Sequence, residues 1–264
     1  MKHQSLVHRT FVIFPLLIVF LLFMYLDTAS AQLTAIANHN HITVDFFYHG
    51  STISVRGISD PNTDLVIKIM SDEDGHQALR KKGKVGGFLW MNVGELKVEH
   101  APKLYFLHST KNIDDILSQD EMNKYGIGYP ALEKYAEMNT SDEAEKIRWF
   151  NEFVKYKESS NLYVTSNGKI SLTEKDGAED YYILTEWPYQ APPGKYTVTV
   201  YAVRDKKVVE TATSNVLVEQ VGMVKSFASM AKNNAALYGI IAILAALTAG
   251  FGVGLVFRKN GGAH

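Results

Sequence analysis

Ala191-Pro192-Pro193-Gly194-Lys195-Tyr196-Thr197-Val198-Thr199-Val200-Tyr201 is the stretch on which the fold turns. Two prolines and a glycine make a corner, because proline fixes φ and lacks a backbone donor while glycine accepts backbone that other residues resist. The residues after the corner alternate. In an extended chain Tyr196, Val198 and Val200 share one face, and Thr197, Thr199 and Tyr201 share the other. This is a strand with one face in a core, entered through a sharp bend.

A Pro-Pro-Gly corner feeding a tyrosine into such a strand resembles the penultimate strand of immunoglobulin-like sandwiches, where a corner tyrosine bonds to nearby backbone. Pro193, Gly194 and Tyr196 are read as that structural corner. Asp205-Lys206-Lys207 then turns the chain into a last strand over 208–219. Working back from the corner, short runs at 161–165, 169–172 and 181–186 read as strands. Earlier runs at 42–49, 52–58, 65–70, 88–92 and 104–108 do too, and Leu65, Ile67 and Ile69 alternate with Val66, Lys68 and Met70. Asp60-Pro61-Asn62, Asp72-Glu73-Asp74-Gly75 and Gly83-Lys84-Val85-Gly86-Gly87 punctuate them as turns.

Between the two groups of strands the period changes. Asn112 and Asp115 offer a capping-box-like start to a helix carrying Ile113, Ile116 and Leu117, with Gly126 as its stop. Pro130 opens a second helix to about Met138. Thr140 and Glu143 cap a third, whose Ile147, Phe150 and Val154 make one stripe beside Trp149, Phe153 and Tyr156. The predicted fold is therefore mainly β: an immunoglobulin-like β-sandwich over 32–222 with a helical insertion at about 110–158, two separate domains being the alternative, plus one C-terminal transmembrane helix.

Both ends of the chain are apolar. Phe11 to Leu26 follows Lys2 and Arg9 and leads to Ala29-Ser30-Ala31, a small-residue pattern suited to signal peptidase. Residues 1–31 are read as a signal peptide cut after Ala31, with Ala29 and Ala31 in the recognised positions. After a juxtamembrane segment at 223–236, the run 237–257 carries no charge. At 1.5 Å per residue it spans roughly 30 Å, the thickness of bilayer hydrocarbon. Arg258 and Lys259 keep the 258–264 tail on the cytoplasmic side. The expected location is a bacterial inner membrane, crossed once, with the domain in the periplasm. Ala242, Ala246, Gly250 and Gly254 fall on one face of the span, and small residues let a second helix approach closely. That face predicts pairing in the lipid bilayer, with a membrane-protein partner or as a homodimer.

Lysine and arginine total 27 against 28 acidic residues, and there is no basic stripe, so no nucleic-acid partner is expected. With no cysteine in the chain, disulfides, thiol catalysis and lipoprotein attachment are excluded. His39, His41 and His49 would suit a transition metal if they converged. They adjoin the expected mature N-terminus without a further ligand type, so they read as surface histidines, and no metal or cofactor is expected. His76, His100 and His108 are scattered through the sequence and form no motif. Walker, dinucleotide-binding, zinc-protease and nucleophile-elbow patterns are absent. The acidic stretches at 72–75 and 174–180 read as solvated turns, since spacing alone sets no reacting geometry.

Gly83 to Asn92, Ala191 to Tyr201, Val203-Arg204-Asp205 and Asn234 to Lys259, with Leu237-Tyr238-Gly239 opening the span, occur in an order that resembles the alpha-proteobacterial putative transmembrane protein family. The resemblance covers most of the chain after residue 31. It implies a single-span, membrane-anchored periplasmic protein with no established activity, so no catalytic residues carry over. Family members often neighbour genes for sulfite-exporter-like permeases, which implies an accessory role at a membrane transporter. This chain departs from the family in being more polar and lysine-rich, which implies a different lineage and partner. The expected function is a binding or interaction module rather than an enzyme. The alternative is an extracytoplasmic hydrolase or metal-dependent enzyme built from the scattered histidines and carboxylates.

Overall fold

The computed structural model describes residues 32–140, 142–175 and 177–258. By its contacts the chain divides after Gln32, and the elements described here belong to the second part. Ala29, Ala31 and Lys259 lie outside the described residues. Among the described residues, thirteen strands form three sheets.

The first sheet joins β1 (Ile36–Ala37), β3 (Ser51–Ser59), β11 (Ala178–Trp187) and β10 (Ser171–Lys175), in that order. In the second, the order is β2 (His41–Val44), β13 (Lys207–Gln220), β12 (Gly194–Arg204), β4 (Asp64–Ser71), β7 (Tyr105–Ser109) and β9 (Tyr163–Asn167). The alternating stretch quoted above is β12, at the centre of the larger sheet between β13 and β4. Tyr196, Val198 and Val200 are buried as the alternation requires. The Tyr196 hydroxyl donates to the Pro192 carbonyl, closing the corner. Trp187 of the smaller sheet packs edge-on against Tyr196 at 4.8 Å and against Phe106 of β7 at 6.0 Å, so both sheets contribute to one core.

The helices interrupt the strands for a topological reason. β7 and β9 are parallel neighbours, and parallel strands cannot be joined by a tight turn. The connection runs through α1 (Ile113–Ile116), α2 (Gln119–Tyr125), α3 (Tyr129–Tyr135) and α4 (Glu143–Ser159). It covers the outer face of the larger sheet. As a result β4 is buried on both faces: Val66 is fully buried, and the Lys68 ammonium is drawn in to donate to the Tyr125 carbonyl at 2.6 Å. Phe150, Phe153 and Val154 of α4 face the core, while Ile147 of the expected stripe is exposed. Phe153 meets Tyr163 edge-on at 5.8 Å.

Several local readings change. The helix expected from Asn112 to Gly126 is two helices, because the Ser118 hydroxyl accepts from the Glu121 amide and starts a new one. Asn112 occupies a cap position without a side-chain cap bond. α3 ends at Tyr135, and Met138 belongs to β8 (Glu137–Met138). Asp142, not Thr140, caps α4 by accepting from the Ala144 amide, while Thr140 donates to Glu145. The strand expected over 42–49 stops at Val44. The largest difference is a third sheet of β5 (Asp74–Val85), β6 (Leu89–Pro102) and β8.

The N-terminal segment is fixed across the smaller sheet at Gly57. The Thr34 amide donates to the Ile58 carbonyl, the Ile58 amide to Thr34 Oγ1, and the Tyr181 hydroxyl to the Thr34 carbonyl. A Cβ at Gly57 would stand 2.0 Å from the Thr34 carbonyl oxygen.

Candidate interaction site

β5 and β6 pair along their length and form a long hairpin. Its root is ordinary sheet: Leu96, Val98 and Ala101 are buried. From Leu89 to Glu95 every residue is exposed, so the outer half stands clear of the body on both faces. The chain reverses between Val85 and Leu89 through Gly86 and Gly87, whose φ values of 63° and 81° lie where glycine is at ease.

The tip is apolar and exposed. Phe88 is 83 % exposed and Trp90 64 %, and Val85, Leu89, Met91 and Val93 are exposed with them. Arg80, Lys82 and Lys84 line β5 below the tip, and the Lys84 ammonium lies 5.4 Å from the centre of the Trp90 ring. Phe88 and Trp90 alternate with Leu89, Met91 and Val93, so the hairpin exposes apolar side chains on both of its faces. Aromatic side chains with few rotatable bonds are effective anchors in protein contacts. Gly83 to Gly87, expected as a turn, supply the end of β5 and the reversal, and the strand expected over 88–92 extends to Pro102. β5 carries no strand signal because Arg80-Lys81-Lys82 lacks hydrophobic alternation, and a strand exposed on both faces needs none.

A second apolar region lies beside the C-terminal helix. α5 (Gly222–Asn233) and α6 (Ala235–Arg258) follow β13 with only Asn234 between them. Ala235–Leu255 is long and apolar enough to cross a membrane, with none of it buried in the protein. The Gly250 and Gly254 positions of the small-residue face have open space around them, and Ala242 and Ala246 are exposed on the same helix. α5 is amphipathic: Met223, Val224, Phe227, Met230 and Ala231 fall on one side, with Lys225, Ser229 and Lys232 opposite. Among the described residues of α5 none is buried. β2 ends beside the start of this helix, because the Val221 amide donates to the Val44 carbonyl at 3.0 Å. Phe46 and Phe47 follow at once, 70 % and 76 % exposed, in an edge-on pair at 5.3 Å.

His41 starts β2, with Nε2 3.4 Å from Glu219. His39 sits in the turn before it, and His49 lines a cleft of about 1120 Å³ with His108, Lys169 and Trp187. His39, His41 and His49 form no common donor group among the described residues. His108 is buried, with Nδ1 2.6 Å from Ser166 Oγ. Burial, with Lys169 nearby, lowers its pKa to about 4, so it is a neutral imidazole at pH 7. Of the acidic stretches, Asp72 accepts from Thr197 and Glu73 pairs with Lys103 at 2.7 Å. Glu174 and Glu179 face each other across the β10–β11 hairpin. Arg258 ends α6.

Residues 32–259 match a protein family described as "Putative transmembrane protein (Alph_Pro_TM)". No curated protein matches the chain.

Proposed function

This chain belongs to the Alph_Pro_TM family of transmembrane proteins, and from that premise we propose that it is a membrane-anchored binding module that contacts a membrane-protein partner through the β5–β6 hairpin tip. The observation that carries the reading is the exposed cluster of Phe88, Leu89, Trp90 and Met91 on a hairpin that stands clear of the body. We take the two core-sharing sheets, with the Tyr196 corner, as an immunoglobulin-like body that supports the hairpin. In this reading the body is periplasmic and the span crosses a bacterial inner membrane with Arg258 and Lys259 inside, which the cationic flank favours. The partner is a transporter, a sulfite-exporter-like permease being the candidate class. The Ala242, Ala246, Gly250 and Gly254 face supplies a second contact in the bilayer, with that partner or a second copy.

A photo-crosslinking residue at position 88 in the full chain tests the contact in native membranes. It should capture one integral membrane protein, and Trp90→Ser in the same chain should weaken capture about thirtyfold, the effect of losing a 2 kcal/mol anchor. Crosslinks confined to lipid, or a yield indifferent to Trp90→Ser, would exclude the reading.

In the same arrangement, α5 and the Phe46-Phe47 pair lie at headgroup level, with the lysines of α5 directed away from the acyl chains. A fluorophore at position 47 or 227 of the reconstituted protein should be quenched by lipids labelled near the headgroup. One at position 225 should be quenched less. Equal quenching at all three positions would remove the interfacial placement.

A further inference from the structure

The hairpin root assembles residues that are far apart in sequence. Along most of β5 and β6 the pairing is one to one, but Gly75 faces Ala101 and Gln77 faces Val98. His76 alone therefore stands opposite both Glu99 and His100, a bulge of the kind that re-aims side chains. On the other side of β6, Glu99 is the direct partner of Glu137 in β8. Two carboxylates facing each other across a strand pair repel unless a positive group lies between them.

The donor atoms converge. The Glu99 and Glu137 carboxylates and the His100 imidazole place one ligand atom each within 4.8 Å of one another. His76 Nδ1 lies 3.5 Å from Glu99 Oε1. Around an ion held at about 2.0–2.1 Å by four ligands, neighbouring donors are about 3.3 Å apart in tetrahedral geometry. Glu99, His100 and Glu137 are the three grouped donors, and His76 joins them through its contact with Glu99. Glu99 is half-buried, and His100 and Glu137 are exposed. His100 and Glu137 also line a cavity of about 490 Å³ that gives an ion access.

We propose that His76, Glu99, His100 and Glu137 form a binding site for a divalent transition metal of the zinc class. Two imidazoles and two carboxylates suit a borderline ion, whereas calcium or magnesium would favour an all-oxygen set. Such an ion screens the Glu99–Glu137 repulsion. It also ties the hairpin root to β8, within the helical insertion, and so fixes the direction in which the tip projects. This site is independent of the proposed tip contact: the ion can bind whether or not the tip meets a partner.

The test uses the full chain in detergent micelles, stripped with chelator and titrated with zinc chloride. One zinc per chain should bind, and the thermal midpoint should rise with zinc as expected for a ligand of the native state. His76→Ala should weaken affinity at least about tenfold, since even the outer partners of metal ligands are worth that much. His100→Asn should do the same. It keeps a residue that accepts the left-handed backbone found at position 100, φ 58°, so its zinc-free stability is a fair reference. Glu137→Gln should lower zinc affinity while leaving the zinc-free protein at least as stable. A His39→Ala/His41→Ala double variant should bind zinc as the parent does. Absence of saturable uptake, uptake unchanged in His76→Ala and His100→Asn, or uptake abolished by the His39/His41 pair would each overturn the site.

Discussion

Gly57→Ala should destabilise the protein by about 3 kcal/mol or more, the upper end of the overpacking range, because the obstruction is backbone. The added Cβ would meet the Thr34 carbonyl oxygen at 2.0 Å, its carbon at 2.8 Å and the Tyr181 hydroxyl at 2.7 Å. A flexible side chain could swing aside, but Thr34 is held by hydrogen bonds with Ile58 and Tyr181. Relief therefore requires the segment around Thr34 to leave the sheet. Leu33 and Ala37, buried in the core, would be pulled with it. In thermal unfolding the midpoint should fall by about 6–12 °C for a domain of this size. Amide exchange should rise first at residues 33–37. A midpoint within a degree of the parent would show that the crossing is looser than described.

Raising the pH from 8 to 9.5 should make the protein more stable, against the usual expectation for alkali. Burial lowers the pKa of Lys68 to about 8 and that of Lys157 to about 8. In the unfolded chain both return to about 10.4. Between these values the unfolded state holds more protons than the native state, so stability climbs with pH, by up to about 1.4 kcal/mol per unit for each lysine. As pH falls back through about 8 this gain is lost. The neutral amines keep their partners, the carbonyls of Tyr125 and Lys103. Above about pH 10 the sign reverses. Burial raises the pKa of Tyr105, Tyr163, Tyr181 and Tyr196, so the unfolded chain ionises first. Denaturant midpoints at pH 8, 9 and 9.5 should rise in the parent and fail to rise in a Lys68→Met/Lys157→Met variant. A falling midpoint in the parent over this interval would contradict the buried-amine account.

The central strands were legible because their signals are local. The corner at Pro193 and Gly194, the alternation after Tyr196 and the uncharged run at 237–257 each follow from side-chain volume and polarity within a few residues. Three features were not local. Lys68 sits in an alternating strand whose outward face looks solvated until the β7–β9 crossover covers it. β5 has no hydrophobic period because its outer half has no core to face. His76 and Glu137 are brought to Glu99 and His100 only by strand register and a bulge, which no spacing rule encodes. The helix boundaries missed at Leu117 and Met138 were decided by a serine cap and a two-residue strand pairing, small terms that outweighed the periodic pattern.

The position of β13 has a mechanical consequence. It leads directly into α5 and α6, so tension along the C-terminal helix enters the domain through this strand. β13 is not an edge: β12 runs antiparallel on one flank and β2 parallel on the other, with Leu217–Gln220 laid against His41–Val44. Pulled lengthwise, the strand loads its ladder in shear, so several hydrogen bonds must yield together instead of unzipping in turn. A body joined to its C-terminal helix in this way can take load along that helix without shedding its last strand.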